Sequence, residues 1–235
     1  MIKMFKGAIF DIDGTLYDYK ENDIVAVKSL CRFAEEKLDV SEKKFCEVYG
    51  EARRIVKTRL ANTGGSQHSR VLFLQTALEL LGKNPFLYVT KMYDAYWNPF
   101  LENMQPFDGV VDFMKSLKAA GIKIAVCTDM TAHIQYRKLA RLGLDKFIDF
   151  MVTSEETGLE KPASIMFELA LSKLETKPEE TVYFGDSLER DIEGAAKVGI
   201  NPFWFISDRE VEKESVPCKK FRSYRDLKNF EEMIL

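Results

Sequence analysis

Two aspartates, Asp11 and Asp13, lie two positions apart at the end of a short apolar segment, directly before Gly14-Thr15. In extended backbone this spacing places both carboxylates on one side of the chain. Neighbouring carboxylates repel each other unless a cation or a shared proton compensates their charge. One of them then suits the role of an ionised nucleophile or metal ligand, while its neighbour tends to hold a proton. An acidic turn without catalytic function would contain the same pair.

Thr128 and Lys161 are candidates for binding an anion near this pair. Thr128 follows a strand-like segment and precedes a helical pattern, so its hydroxyl and the helix-start amides could bind a phosphate. Lys161 directly precedes Pro162 and another helical pattern, where its ammonium could neutralise a phosphate. Taken singly, each has a simpler interpretation: Thr128 as a helix cap and Lys161 as a surface lysine.

Asp186 and Asp191 supply two more acids after a further strand-like segment. Asp186 lies at the end of that segment, and Asp191 lies about one turn into the helical pattern that follows. Acids at a helix start also complement the helix dipole, which requires no ligand. Combined with Asp11 and Asp13, however, they form a carboxylate set that suits Mg²⁺, a cation that keeps several waters and accepts phosphate oxygens.

The elements that must position these residues alternate between strand-like and helical segments. Short apolar segments rich in β-branched and aromatic residues predict buried strands, at 5–12, 122–127, 147–152, 181–185 and 202–206. Helical patterns are found at 108–120, with Asp108 as N-cap, and at 131–142, 163–174, 188–198 and 224–234. The alternation predicts an α/β core with a doubly wound parallel sheet. Ligands bind beyond the carboxyl ends of such strands, where the candidate residues lie.

Residues 17–103 have a different character from the rest of the chain. They contain helical patterns at about 21–39, 41–61, 69–82 and 85–103, and no convincing strand. We therefore expect one α/β catalytic core in two pieces, residues 1–16 and 104–235, interrupted by an all-helical insertion at 17–103.

Composition argues against several other classes of protein. With 34 basic and 37 acidic side chains, a net charge of −3, the chain shows no basic footprint for nucleic acid or membranes. Its four cysteines form no C-x-x-C pair and only two histidines accompany them, which disfavours a zinc site or a disulfide framework. No signal-peptide pattern or membrane-span run is found. We expect a soluble, cytoplasmic protein.

In combination, the candidate residues resemble the haloacid dehalogenase superfamily of hydrolases. The resemblance rests on Asp11-x-Asp13-Gly-Thr-Leu, Thr128 after a strand, Lys161-Pro, and Gly-Asp186-x-x-x-x-Asp191. It covers the whole predicted core and implies a Rossmann-like sheet. In this superfamily a helical insertion directly after the first motif is a mobile cap, here of the C1 type, that closes over the site and selects the substrate.

The resemblance also implies roles for the residues. Asp11 would attack phosphorus to form an aspartyl-phosphate, and Asp13 would protonate the leaving alcohol and then deprotonate the hydrolytic water. Thr128 and Lys161 would hold the transferring phosphoryl group. The implied cofactor is Mg²⁺, with ligands from Asp11, Asp186 and the backbone carbonyl of Asp13, and with Asp191 in support.

The function so predicted is Mg²⁺-dependent hydrolysis of a small phosphate monoester, a nucleotide or a sugar phosphate, by a monomer or homodimer. A phosphosugar mutase, which uses the same core and paired aspartates, is the alternative. Dehalogenation is less favoured because it does not need an acid/base carboxylate such as Asp13. A binding protein without turnover is also less favoured, because none of Asp11, Asp13, Lys161 and Asp186 has been lost.

Some residues depart from the superfamily pattern or have a plain interpretation. Tyr17 begins a segment where many relatives carry a small polar turn, and Asp129 occupies a position where a neutral amide is common. We expect the Asp129 side chain to point away from bound phosphate, and His68 and His133 to be ordinary loop and helix-start residues. Four aromatic residues are expected in the core of the insertion: Phe73, Tyr93, Tyr96 and Trp97.

Overall fold

The centre of the molecule is a six-stranded sheet in which all neighbouring strands are parallel. The structure, a computed structural model, describes residues 5–60, 64–206 and 216–227. The strands are β1 Gly7–Phe10, β2 Lys123–Thr128, β3 Phe150–Thr153, β4 Thr181–Gly185, β5 Asn201–Phe205 and β6 Lys219–Phe221. Their spatial order, β3-β2-β1-β4-β5-β6, reverses direction at β1. The predicted α/β doubly wound sheet is confirmed, and ligands of such sheets bind where the order reverses.

The central strand β1 is buried on both faces, as its apolar sequence requires. Phe10 stacks on Phe184 of β4 at 4.6 Å between ring centroids, on one face of the sheet. Ile9 packs on the opposite face, in a cluster with Phe167 and Tyr183. The five predicted strands are present, with ends shifted by a few residues. Strand β6 was not predicted, because its three residues include two exposed lysines and only one buried side chain.

Helices cover both faces of the sheet and fill the segment after β1. They are α1 Tyr19–Leu38, α2 Glu42–Leu60, α3 Arg70–Leu80, α4 Pro85–Asn103, α5 Val110–Ala119, α6 Ala132–Leu142, α7 Ser154–Thr157, α8 Ser164–Leu174 and α9 Glu193–Lys197. The predicted helix at 188–198 begins as a π-helical turn, Leu188–Ile192, before α9. Of the predicted helix at 224–234, the structure describes a 3-10 turn at Tyr224–Leu227, and the remainder lies outside the described residues. Among the described residues, no helix has the length and hydropathy of a membrane span.

Helices α1 to α4 occupy the predicted insertion and pack around aromatic side chains. Phe73, Tyr96 and Trp97 are buried among them, and Tyr93 packs against this core, as expected from the sequence. A 3-10 turn, Gly65–His68, approaches α7, where a side chain at Gly65 would lie 2.9 Å from the Glu155 amide nitrogen. The helical segment therefore contacts the sheet-bearing part of the chain beside β3.

The start of α5 differs from the prediction. Asp108 was expected to cap this helix, but the N-cap is Gly109, whose φ of 85° lies in the left-handed region that favours glycine. The Asp108 carboxylate instead accepts hydrogen bonds from Arg225, at 2.8 Å from Nη2. The predicted helix N-cap was wrong, because Asp108 instead pairs with Arg225, which is distant in sequence and lies in the 3-10 turn Tyr224–Leu227.

Candidate active site

Asp11 follows β1 and lies at the centre of the candidate site. Its backbone N–H donates to the Phe184 carbonyl of β4 at 2.9 Å, and the residue is 5% exposed. The Thr15 hydroxyl donates to Asp11 Oδ2 at 3.1 Å, and the same hydroxyl lies 3.3 Å from Asp186 Oδ1. Gly14 makes this tight turn possible, because its φ is 96° and any Cβ there would collide with the Asp186 carboxylate.

Lys161 joins two of the predicted acids in the interior. Its ammonium Nζ lies 2.6 Å from both Asp11 Oδ1 and Asp191 Oδ1, and it also donates to the Tyr183 hydroxyl at 3.2 Å. Burial alone would lower the pKa of this lysine, but the charges of Asp11 and Asp191 raise it well above its usual range. Lys161 therefore carries a permanent positive charge next to Asp11.

Asp11, Asp186 and Asp191 form a compact acidic cluster at the ends of β1 and β4. Each offers a carboxylate oxygen, and these three oxygens lie within 4.8 Å of one another. Asp191 approaches closely because Gly185 has no side chain, and a Cβ there would collide with the aspartate. Burial raises the pKa of Asp11 well above its usual value against the opposing charge of Lys161, and Asp191 and Asp186 raise it further. The cluster thus places three carboxylates around one buried ammonium, that of Lys161.

Asp13 faces a different set of partners. Lys138 Nζ donates to its Oδ1 at 2.6 Å, Gln135 Nε2 donates to its Oδ2 at 3.0 Å, and the Tyr17 hydroxyl also donates to it. Burial raises the pKa of Asp13, but Lys138 and these hydrogen bonds outweigh it and lower the pKa below its usual value. Asp13 therefore has a cation of its own, whereas Asp11 shares Lys161 with Asp191.

Lys138 was not predicted as a site residue, and its setting is unusual for a lysine. The side chain is fully buried, and its ammonium lies 5.4–5.8 Å from four aromatic ring centroids, those of Tyr17, Tyr19, Trp97 and Phe100. Three of these rings belong to α1 and α4. Side chains of the insertion therefore surround the lysine that binds Asp13. Gln135 and Lys138 are three residues apart on α6 and therefore share one face of the helix. This spacing was the only feature of the sequence that linked the two residues to each other.

Thr128 and Asp129 end the strand β2 beside these groups. The Thr128 hydroxyl is buried and accepts a hydrogen bond from Gln135 Nε2 at 2.5 Å. Asp129 accepts the Lys161 backbone N–H at 2.9 Å through Oδ1, while its Oδ2 lies 3.5 Å from Arg190 Nη1. The Asp129 carboxylate is thus bound to the Lys161 loop and to a cation.

All six predicted site residues line one cavity of about 370 Å³, within the size range of small-molecule sites. The structure brings together Asp11, Asp13, Thr128, Lys161, Asp186 and Asp191 there. Four residues of the insertion also line it: Tyr19, Arg53, Lys57 and His68. His68 was expected to be an ordinary loop residue, yet its Nε2 lies 2.9 Å from Glu160 Oε1, beside Lys161. His133 is exposed, in agreement with its plain interpretation.

Comparison with known proteins places this arrangement in a family. Residues 8–205 match the family model described as haloacid dehalogenase-like hydrolase. A ribulose-1,5-bisphosphate 5-phosphatase of Halopiger xanaduensis is 39% identical over 209 residues, which are 88% of this chain and 87% of that protein. A glyceraldehyde 3-phosphate phosphatase of Methanocaldococcus jannaschii is 33% identical over 198 residues, 84% of this chain and 83% of that protein.

Solved structures agree on the fold. The crystal structure of a 2-haloacid dehalogenase from Pseudomonas syringae superposes with a TM-score of 0.78 at 22% identity, covering 99% of this chain and 100% of that one. At this identity the likeness concerns the fold alone. The predicted superfamily and the predicted enzyme class, a hydrolase of the phosphatase type, are confirmed by the family match and the named relatives. The chain belongs to the haloacid dehalogenase-like hydrolase family.

Proposed function

We propose that this chain hydrolyses a small phosphorylated metabolite in two steps through a covalent aspartyl-phosphate on Asp11. The observation that carries the proposal is the juxtaposition of a buried carboxylate, a permanent cation and a second carboxylate around one cavity. Lys161 lies 2.6 Å from Asp11, and Asp13 lines the same cavity with partners of its own. Phosphoryl transfer relies on positioning and charge stabilisation, which such a set supplies.

In the first step, an Asp11 carboxylate oxygen attacks phosphorus and the bond from phosphorus to the ester oxygen breaks. Lys161 and the Thr128 hydroxyl hold the phosphoryl oxygens, and Asp13 gives a proton to the departing alcohol oxygen. In the second step, water attacks phosphorus and gives a proton to Asp13, while the bond between Asp11 and phosphorus breaks. Inorganic phosphate leaves, and Asp11 is a free carboxylate again.

Mg²⁺ fits the acidic cluster by its donor chemistry. Hard carboxylate oxygens are its preferred protein ligands, and Asp11, Asp186 and Asp191 each offer one within 4.8 Å of the others. We propose that Asp11, Asp186 and the Asp13 backbone carbonyl hold the ion, with Asp191 fixed in support by the Ser187 N–H at 3.0 Å. When bound, Mg²⁺ reduces the repulsion between the Asp11 carboxylate and the incoming phosphate.

The test of this function is hydrolysis of a generic aryl phosphate with Mg²⁺ and with a chelator. We expect metal-dependent release of inorganic phosphate, and hydrolysis of sugar phosphates to free phosphate. Transfer of the phosphate to another position of a hexose phosphate, without release, would instead support the mutase alternative. Binding without any turnover would support the non-catalytic alternative, and release of halide from a 2-haloacid would support dehalogenation.

Asp186→Asn is expected to raise the Mg²⁺ concentration needed for half-maximal activity by about tenfold or more, because a neutral amide binds the ion more weakly. Calorimetry without substrate measures the same loss directly. Glu189→Gln, which changes an exposed acid in the nearby π-helical turn, serves as the matched control. Unchanged Mg²⁺ affinity in Asp186→Asn would contradict the proposed metal site.

Lys138 is proposed as a positioning residue that holds the Asp13 carboxylate. We expect Lys138→Met to lower kcat/KM by about 10- to 100-fold, the scale of one lost charged hydrogen bond. The readout that separates positioning from general destabilisation is a double-mutant cycle. If Lys138 acts through Asp13, Lys138→Met costs far less activity in an Asp13→Asn background than in the wild type. Equal losses in both backgrounds would refute this role.

Residues 17–103 are proposed as the cap of the enzyme, and residues 1–16 with 104–235 as its core. Two contacts support this division, because each joins the insertion to a residue next to the proposed catalytic groups. The His68–Glu160 contact lies beside Lys161, and the aromatic enclosure of Lys138 lies beside Asp13. The proposed substrate is a small phosphate ester, in line with the sugar phosphates in the names of the relatives.

A further inference from the structure

Three cationic side chains that the proposed chemistry does not use also line the cavity. Arg53 and Lys57 are four residues apart on α2, and Arg190 belongs to the turn Leu188–Ile192. All three line the cavity together with the acidic cluster. We refer to Arg53, Lys57 and Arg190 as the cationic rim. Two of its members come from the insertion, and one comes from the sheet-bearing part of the chain.

The cationic rim is incompletely neutralised by the described protein groups. Asp23 lies 4.0 Å from Arg53 Nη1 but is shared with the buried Arg70, which lies at 3.7 Å. Asp129 lies 3.5 Å from Arg190 and also accepts the Lys161 amide. Lys57 forms no hydrogen bond or ion pair that involves its side chain with any described residue.

The members of the rim are close enough to repel one another. Partial burial lowers the pKa of Lys57, and the charges of Arg53, Arg190 and Arg70 lower it further, while Glu160 acts in the opposite direction. Glu160 itself lies against His68, at 2.9 Å. An anion placed between these side chains would relieve their repulsion, so the rim has the electrostatics of an anion site.

We infer that the cationic rim binds a second phosphate of the substrate, so that the natural substrate is a short-chain sugar or polyol bisphosphate. One phosphate lies at Asp11 and Lys161 and is hydrolysed, while the other is held by the rim and stays on the product. The inference rests on the proposed function, since it names the substrate class of the same cavity. It adds Arg53, Lys57 and Arg190 as specificity-determining residues.

A phosphate fits the rim better than the other groups a metabolite could present. Arginine side chains match phosphate oxygens with two parallel hydrogen bonds, and a phosphate carries more charge than a single carboxylate. A nucleobase would require stacking surfaces, yet Tyr19 and His68 are the only ring side chains among the described residues that line the cavity, and His68 Nε2 lies 2.9 Å from Glu160. The volume of about 370 Å³ also accommodates a short-chain bisphosphate.

The test compares paired substrates that differ in one phosphate, a ketopentose 1,5-bisphosphate and the corresponding 5-phosphate. In the wild type we expect kcat/KM to be higher for the bisphosphate than for the monophosphate. In the Arg53→Met/Lys57→Met double variant we expect this preference to fall about 10- to 100-fold. The preference should also decline with added salt, because the rim is partly exposed to solvent. Arg54→Met is the matched control, since Arg54 is an exposed neighbour that pairs with Glu51.

Equilibrium binding separates failure of this inference from failure of the proposed function. Calorimetry is carried out with alkane bisphosphonates of about three to six carbons, the span of a short sugar chain, and with the matching monophosphonates, none of which can be hydrolysed. Tighter binding of a bisphosphonate that is lost in Arg53→Met/Lys57→Met supports the subsite even if no ester is turned over. Hydrolysis without any preference for a second phosphate, in kinetics or binding, would overturn the subsite and leave the phosphatase function intact.

Discussion

The Asp11→Asn protein is expected to fold normally but to hydrolyse phosphate esters far more slowly. We expect kcat to fall by a factor on the order of 10⁵ or more for every ester, the scale of loss when a covalent nucleophile is removed. Asparagine keeps the shape of the side chain and can still accept the Thr15 hydrogen bond. Lys161 keeps a carboxylate partner in Asp191 at 2.6 Å, so the interior is not left with an unpaired cation. An amide, however, cannot attack phosphorus.

The measurement is phosphate release from an aryl phosphate and from a sugar phosphate, at saturating Mg²⁺. Asp94→Asn, which changes an exposed acid on α4 away from the cavity, is the matched control and should retain activity. Mass spectrometry must show that the introduced asparagine has not deamidated to aspartate. Substantial activity in protein verified in this way would mean that Asp11 is not the nucleophile.

Asp13→Asn is expected to lower kcat/KM by about 10²- to 10⁴-fold for an alkyl or sugar phosphate, the range for loss of a general acid. The loss should be much smaller for a nitrophenyl phosphate, because its leaving group departs without a proton. Mg²⁺ affinity should be largely unchanged, since the Asp13 carboxylate faces Lys138 rather than the acidic cluster.

Two controls accompany this experiment. The substitution leaves Lys138 as a buried cation without its carboxylate, which we expect to lower the free energy of unfolding by about 3 kcal/mol, so activity is measured well below the Tm. A loss of kcat/KM that is equal for good and poor leaving groups would argue against proton donation by Asp13. A collapse of Mg²⁺ affinity would assign its side chain to the metal.

The sequence alone was sufficient to predict which residues meet at the carboxyl edge of the sheet. Apolar segments that are short and β-branched can be identified as buried parallel strands, and residues directly after them must meet at one edge. This places Asp11, Thr128 and Asp186 together without knowledge of side-chain contacts. Strand β6 escaped prediction because an edge strand needs only one buried residue, here Phe221.

The residues that escaped prediction are those whose role depends on tertiary packing. Gln135 and Lys138 resemble the polar face of an ordinary helix, and their burial follows only from the way α1 and α4 pack over them. Arg53 and Lys57 likewise resemble a solvated face of α2, and they reach the cavity only because the insertion lies over the sheet edge. Local sequence patterns carry no information on that packing.

The central claim is that Asp11 carries the phosphoryl group between the two steps, and acyl-phosphate trapping tests it most directly. Wild-type and Asp13→Asn proteins are mixed with excess aryl phosphate and Mg²⁺, quenched in acid and reduced with borohydride, which converts an aspartyl-phosphate to homoserine. Peptide mass spectrometry then identifies the side chain at position 11. We predict homoserine at this position, dependent on substrate and absent from Asp11→Asn. Turnover with an unmodified Asp11, or with the modification at another residue, would contradict the account.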